Sequence, residues 1–286
     1  MATKLTVIIP CKDERYNIRP CIESVRGIAD EILVADSGSS DATLDIVRNV
    51  GGCRIIEREY VNSANFKNWA IPQATHPWIL LVDADERVTE SLAAEIGELL
   101  TDPPNHQDGF WILRENYFMG HRINHCGWDT DDVIRLFRRD QCRYAERVVH
   151  AEIEIDPKRA GRLRGSLEHY SVWTFNQHAT KMLRYNTWAA QHLWDRGKRA
   201  SVAGLLLRPW LRFLSLYFLR LGFLDGLAGL QICALTAFST FAKQSQLWEM
   251  EYGLEQPDPE AERETNAGTV SLTESAAHMS SQSNAA

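Results

Sequence analysis

The sequence predicts an α/β protein, with a mainly parallel sheet flanked by helices and then a helical, apolar C-terminal region. Two observations carry this. Over the first hundred residues, short β-branched apolar runs alternate with stretches of helical period. Three of the runs end in polar clusters: Pro10-Cys11-Lys12-Asp13-Glu14, Asp36-Ser37-Gly38-Ser39-Ser40-Asp41 and Asp83-Ala84-Asp85-Glu86. Strand–helix alternation implies right-handed crossovers and parallel pairing. In such sheets ligands bind beyond the carboxyl ends of the strands.

In chain order, Leu5 to Pro10 reads as a strand buried on both faces. Asn17 to Ile28 reads as a helix with Ile18, Cys21, Ile22 and Val25 on one side. Glu31 to Ala35 is a second strand, and Asp41 to Val50 a second helix capped by Ser40 or Asp41. Arg54 to Arg58, Ala64 to Ala74 and Trp78 to Val82 continue as strand, helix and strand. Gly109 to Ile155 is mixed, with strand-like Gly109–Leu113 and Val133–Phe137. From Thr174 to Trp248 the pattern is helical and strongly apolar; from Glu255 onward it is too polar to build a core, which predicts disorder. The expected units are a catalytic domain over 1–172, a helical apolar and basic region over 173–254 and an acidic, Ser-rich tail over 255–286.

The net charge of −7 hides an asymmetry. From Glu249 onward there are eight acids and one base, whereas Lys158 to Arg220 holds twelve Lys/Arg against Glu168 and Asp195. That basic stretch is interleaved with Leu and Phe rather than laid out as a polar face, so nucleic-acid binding is not expected. The six cysteines contain no C-x-x-C pair, and the chain opens directly into a strand-like run. Free thiols, a reducing cytoplasm and no signal peptide are the expectation.

Two carboxylates spaced D-x-D after a buried strand suit a hard cation, Mg²⁺ or Mn²⁺, which takes oxygen ligands and commonly shares them with substrate phosphates. Alone, such a tetrapeptide reads better as a helix cap near Thr89; the four apolar residues before it and the two polar strand ends upstream favour a ligand site. Asp36 at its strand end could accept a hydrogen bond from a base N–H.

Val7-Ile8-Ile9-Pro10-Cys11-Lys12-Asp13-Glu14, Ala35-Asp36-Ser37-Gly38-Ser39-Ser40-Asp41-Ala42-Thr43 and Leu81-Val82-Asp83-Ala84-Asp85-Glu86-Arg87 together resemble family 2 glycosyltransferases of the GT-A fold. Asn116-Tyr117-Phe118-Met119-Gly120, His125-Cys126-Gly127-Trp128, Arg135 to Arg139 and Gly222-Phe223-Leu224-Asp225-Gly226 look like the branch that includes lipopolysaccharide core β-glucosyltransferases. The resemblance spans about residues 4–249. It implies an inverting enzyme that moves one hexose from a nucleotide-diphosphate sugar, UDP-glucose as first choice, to a lipopolysaccharide-core or other lipid-linked glycan acceptor. A polyprenyl-linked sugar, a capsule precursor or a peptide are alternative acceptors.

The resemblance also implies site residues. Pro10, Glu14 and Asp36 would surround the donor nucleoside, Asp83 would face ribose or metal, and Asp85 would ligate the metal. Asp131 is the expected general base, with Asp129 and Asp132 close in sequence. His150 would be a third metal ligand or a diphosphate contact, although Ala151 separates it from Glu152 where the similar enzymes have a Val-His-Glu triplet. Lys67 and Asn68 fall where related enzymes place donor-facing groups, but an exposed helical face is the preferred reading. No Q-x-x-R-W segment is present, so single-sugar addition is expected rather than processive synthesis. A nucleotidyltransferase is disfavoured because Pro10 to Glu14 has no glycine, and a non-catalytic sugar-nucleotide-binding protein because acids stand at all three strand ends.

In Leu205 to Arg220, cations recur every four to eight residues within an apolar run, placing Arg208, Arg212 and Arg220 on one helical face. Gly226 to Ala242 is uncharged for 17 residues, at the borderline of the length that spans a bilayer. Peripheral docking on the inner face of the cell membrane, with arginines toward anionic headgroups, is the expectation.

Overall fold

The computed structural model describes residues 2–145 and 152–253. The first half of the chain alternates as expected. β1 (Leu5–Cys11), α1 (Ile18–Val25), β2 (Glu31–Asp36), α2 (Thr43–Val50), β3 (Cys53–Glu57), α3 (Ser63–Ala70) and β4 (Trp78–Leu81) follow in order. α1 buries Ile18, Cys21, Ile22 and Val25, the four apolar positions of its predicted face. At the start of α2 the Asp41 carboxylate accepts the Thr43 N–H at 2.9 Å, meeting a donor the helix itself cannot satisfy. α3 starts at the Asn62 cap, which accepts from Asn65 N, and passes into a 3₁₀ turn at Ile71–Gln73.

β5 (Glu86–Val88), α4 (Glu90–Thr101), β6 (Gly109–Phe118), β7 (His121–Arg122), β8 (Asp132–Arg138), β9 (Arg143–Tyr144), β10 (Ile153–Glu154) and β11 (Ala160–Val172) complete the sheets. The large sheet runs β3-β2-β1-β4-β8-β6-β11-β5, with β7 on β6. β3, β2, β1 and β4 are parallel, and so are β6 and β11. β8 runs against both its neighbours, and β5 against β11. Antiparallel neighbours need only short links, which the 13 residues between β6 and β8 supply. One apolar cluster joins α1, α2 and α4 to one face of the sheet; a second puts α3 on the other. Pro10, which has no N–H to donate, lies beyond Ile8↔Leu81, the last pair between β1 and β4.

After β11, Thr174 opens α5 (Phe175–Asp195) with a reciprocal capping box to Gln177. α6 (Val202–Leu214) follows, then a π turn over Ser215–Leu219, a 3₁₀ turn over Gly222–Asp225, and α7 (Gly226–Tyr252). The π turn breaks the register between Arg212 and Arg220. The shared arginine face therefore holds within α6 for Arg208 and Arg212, and Arg220 lies past the turn. Two stretches, Val202–Leu219 and Gly222–Tyr252, are long and apolar enough to cross a membrane by length and composition. α7 runs on past the 17 uncharged residues and packs its inner side on α5 and α6. α6 instead turns Leu206, Leu207, Trp210 and Leu211 outward, each at least 60% exposed.

A third apolar cluster fastens this helical region to the sheet, through Phe118, Ile123, Cys126, Val172, Ile232 and Cys233. The Asp225 carboxylate reinforces it by accepting the backbone N–H groups of Asn124 and His125 at 3.2 and 2.9 Å. All six cysteines are free. The residues expected to be a disordered tail, 255–286, lie outside the described residues.

The turn into α7 depends on a glycine. A Cβ at Gly229 would lie 2.0 Å from the Gly222 carbonyl oxygen. Gly229→Ala is expected to cost about 1–3 kcal/mol through overpacking, read as a lowered thermal midpoint; an unchanged midpoint would show that the turn relaxes freely.

Candidate active site

The polar clusters at the ends of β1, β2 and β4 come together at one edge of the sheet. The first two are stitched to each other. Asp13, at φ +54°, accepts the Ser40 and Asp41 N–H groups at 2.7 and 3.2 Å, and Thr43 Oγ1 accepts from Glu14 N at 2.8 Å. Asp36 is fully buried, and its two oxygens accept from Gly38 N, Ser39 N, the Ser39 hydroxyl and Cys11 Sγ. Three of these donors come from its own turn and one from β1, so Asp36 shapes the loop on which the expected donor contact would be made.

Glu14 points toward the D-x-D segment. Asn17 holds it, donating to Glu14 Oε2 at 2.8 Å while its own Oδ1 accepts from Arg87 and Trp173. Burial pushes the Glu14 carboxyl up to about 7; the Asn17 hydrogen bond opposes this and the nearby Asp85 charge adds to it.

Asp83 to Glu86 form a tight turn closed by Glu86 N to Asp83 O at 2.8 Å and Asp83 N to Glu86 Oε2 at 3.0 Å. The turn is therefore not the cap of the next helix; Thr89 caps α4 instead, accepting from Leu92 N. The buried Arg135 guanidinium of β8 bridges Asp83 and Glu86, at 2.6 Å to the latter. Lys67 Nζ reaches Asp83 Oδ1 at 2.8 Å. Burial works against ionisation of Asp83, yet Arg135 and Lys67 hold its carboxyl far below the usual range. The reading of Lys67 and Asn68 as an exposed helical face is overturned. Lys67 is 12% exposed, and Asn68 bonds the Tyr144 main chain in both directions, at 2.9 and 2.8 Å. The 3.6-residue period turns both inward, because β9 packs on α3.

Asp85 faces away from this cationic group, toward His169 of β11, with Oδ2 at 3.5 Å from Nε2. Its main chain is pinned by Tyr170 N to Asp85 O at 2.8 Å. Burial would raise the Asp85 carboxyl, but the His169 ring outweighs it and keeps the group below the ordinary range. His169 was missed in the sequence, where it stands among the alternating residues of a strand; its only signal was a histidine within a buried-type run.

A hydrogen-bonded line leads on from His169. Its Nδ1 is 2.7 Å from Asn116 Oδ1, while Asn116 Nδ2 donates to Asp131 Oδ2 at 3.0 Å and to the Trp128 carbonyl at 3.1 Å. With both amide protons used as donors, Asn116 Oδ1 must accept, so Nδ1 carries the proton. The other ring nitrogen, Nε2, then faces the Asp85 carboxylate. Metal-binding histidines have this tautomer fixed by an amide or carboxylate behind them.

Asp131 Oδ1 also accepts from Arg114 at 2.6 Å. Burial opposes its ionisation, but Arg114 and Asn116 hold it below the ordinary carboxylate range. The other two acids of this stretch lie elsewhere. Asp132 pairs with Arg162 at 2.6 Å on the surface, and Asp129 is exposed. His150 lies outside the described residues.

The donor set fits a hard divalent cation. Asp85 and His169 would supply oxygen and nitrogen ligands, and among the described residues no group of three or more His, Cys, Asp or Glu is placed to hold such an ion. Remaining positions would fall to phosphate oxygens and water, as Mg²⁺ prefers.

The family model described as Glycosyl transferase family 2 matches residues 6–148. The chain is 30% identical over 256 residues to the lipopolysaccharide core biosynthesis glycosyltransferase LpsC of Rhizobium meliloti, covering 84% of this chain and 91% of that protein. It is 26% identical over 258 residues to an uncharacterized glycosyltransferase of Rickettsia typhi, covering 86% and 87%. Among solved structures, the glucosyl-3-phosphoglycerate synthase of Mycobacterium tuberculosis with Mn²⁺, UDP and glucosyl-3-phosphoglycerate is 19% identical at a TM-score of 0.32, over 41% of this chain and 45% of that one. A likeness that partial adds nothing to the assignment.

Two outcomes are expected of this geometry. Arg135→Met leaves Glu86 buried without its nearest cation and should lower urea stability by about 3 kcal/mol, with partial recovery on adding Glu86→Gln; full additivity of the two losses would contradict the coupling. For Glu14, the folded-state value of about 7 lies above the ordinary 4.5. The folded chain binds the extra proton between those values, so stability falls as pH rises through that window. In EDTA, the thermal midpoint of Glu14→Gln should gain on wild type between pH 5 and pH 8, and a constant offset would refute it.

Proposed function

The chain belongs to glycosyl transferase family 2, and from that premise we propose that it moves one hexose, with inversion, from a nucleotide-diphosphate sugar to a lipid-linked glycan. The observation that carries this reading is the continuous line Asp85–His169–Asn116–Asp131. It joins a cation-binding carboxylate after β4 to a half-buried acid positioned by Arg114 and Asn116.

On this reading Asp131 is the general base. The acceptor hydroxyl attacks the anomeric carbon opposite the diphosphate; the new C–O bond forms as the bond to diphosphate breaks, and the hydroxyl proton passes to Asp131. Arg114 and Asn116 keep Asp131 ionised and aimed. Among the three neighbouring acids, the surface pairing of Asp132 and the exposure of Asp129 favour this choice. Asp85 and His169 would hold Mg²⁺ or Mn²⁺, which when bound supplies positive charge for the departing diphosphate. Asp83, neutralised by Arg135 and Lys67, would take a ribose hydroxyl. Pro10 and Glu14 would border the nucleoside, with the loop shaped by Asp36 beside them.

The donor nucleotide is proposed as UDP and the sugar as glucose, from the resemblance of the motifs. A lipopolysaccharide-core acceptor follows from the similarity to the rhizobial core glycosyltransferase. The catalytic part is assigned to 1–172 and the helical part to 173–254. Outward-facing Leu206, Leu207, Trp210 and Leu211, with Arg208 and Arg212 on the same helix, support peripheral docking on the anionic inner face of the cell membrane.

The test is UDP-glucose turnover with Mn²⁺ or Mg²⁺. Asp131→Asn should lower kcat by about 10²–10⁴ while UDP binding persists, and Asp85→Ala should abolish metal-stimulated UDP release. Equal UDP release by wild type and Asp85→Ala would sink the reading.

A further inference from the structure

We propose that the open cavity bordered by the end of β11, α5 and α7 is the acceptor subsite, and that it takes a sugar bearing an anionic substituent, phosphate or carboxylate, against Lys181. This rests on the glycosyl-transfer reading above and extends it to the acceptor side.

The cavity measures ≈ 250 Å³, about eight times the share of one water in the liquid, which is room for a sugar unit rather than a single ion. Its walls combine aromatic and apolar surface, Trp128, Tyr185 and Leu235, with a few polar groups, among them His178, Lys181 and Thr236. That mixture suits a guest with apolar C–H faces and a polar rim.

Lys181 sets the charge of the guest. It is only partly exposed and makes no ion pair among the described residues, whereas Lys67, the lysine of the D-x-D site, is committed to Asp83. Its positive charge favours the ionised forms of Glu14 and Asp85. His178 adds no second charge. Burial, with Lys181 beside it, holds the ring below its ordinary range, so it offers a neutral hydrogen bond.

The cavity is also joined to the candidate base. Trp128 forms its wall, and the Trp128 carbonyl shares the Asn116 amide with Asp131 at 3.1 and 3.0 Å. One side chain therefore fixes both the surface on which an acceptor would lie and the carboxylate that would take its proton.

The experiment uses the full-length chain loaded with UDP and Mn²⁺, titrated with glucose, glucose 6-phosphate and glucuronate and read by ligand-observed NMR. Wild type should bind one of the two anionic sugars about tenfold more tightly than glucose, and which one identifies phosphate or carboxylate as the substituent. Lys181→Met should erase that preference with UDP affinity changed less than about twofold, and Lys181→Arg should restore it. Thr236→Phe, which narrows the cavity from α7, should weaken all three sugars. Thermal melts confirm that each variant is folded. The inference is overturned if anionic and neutral sugars bind alike, if none binds to the UDP-loaded chain, or if Lys181→Met weakens UDP, which would assign the lysine to the donor diphosphate. Failure of wild type to bind UDP would instead remove the donor reading beneath it.

Discussion

The site depends on one shared cation. Arg135 sits inside the protein on β8 and is claimed by Asp83 and Glu86 across the turn that ends β4. Two carboxylates and a guanidinium cannot be taken out of water singly at tolerable cost; together, with Lys67 and Arg114 completing the group, they form a lattice whose members fix one another. The antiparallel register of β4 on β8, with Leu80 opposite Leu136, brings Arg135 to this turn. Because Asp83 is neutralised in that lattice, the second acid of the motif, Asp85, is left to face the opposite way.

That other side is built by β11. This strand lies between β6 and β5, so His169 is opposite Asn116 on one neighbour and Glu86 on the other. The same strand pins the Asp85 main chain through Tyr170. A single element thus positions the histidine, orients it through Asn116 and holds the carboxylate it faces. Aromatic contacts stiffen the strand's end: Tyr117 stacks on Tyr170 at 4.5 Å, and Tyr170 on Trp173 at 5.2 Å. Trp173 also bonds Asn17, which donates to Glu14, so the β1 loop and the end of β11 are tied together.

The helical region is attached just beside this machinery. Phe118, Val172 and Cys126 meet Ile232 and Cys233, and Asp225 caps the loop that carries His125. α7 therefore closes one side of the cavity lined by Trp128 and Lys181, while α6 turns large apolar side chains away from the protein. The helical region thus carries both the exposed apolar residues of α6 and two of the walls of that cavity.

Much of this was legible in the chain itself. Apolar period and turn residues are local properties, so the strands from β1 to β4, the buried face of α1 and the polar strand ends could be read directly. The D-x-D segment stood out by the apolar strand before it and the polar strand ends upstream, whereas Asp131 was singled out only through the resemblance, which places an acid between Trp128 and Arg135. What required tertiary structure was every partnership between distant residues. Lys67 looked like a surface lysine until β9 covered α3. His169 had no motif, since only the placement of β11 between β5 and β6 brings it to Asp85 across 84 residues of chain. Local period sets which residues form a strand, but burial and register decide which charges must share a cation, and those are properties of the packed sheet alone.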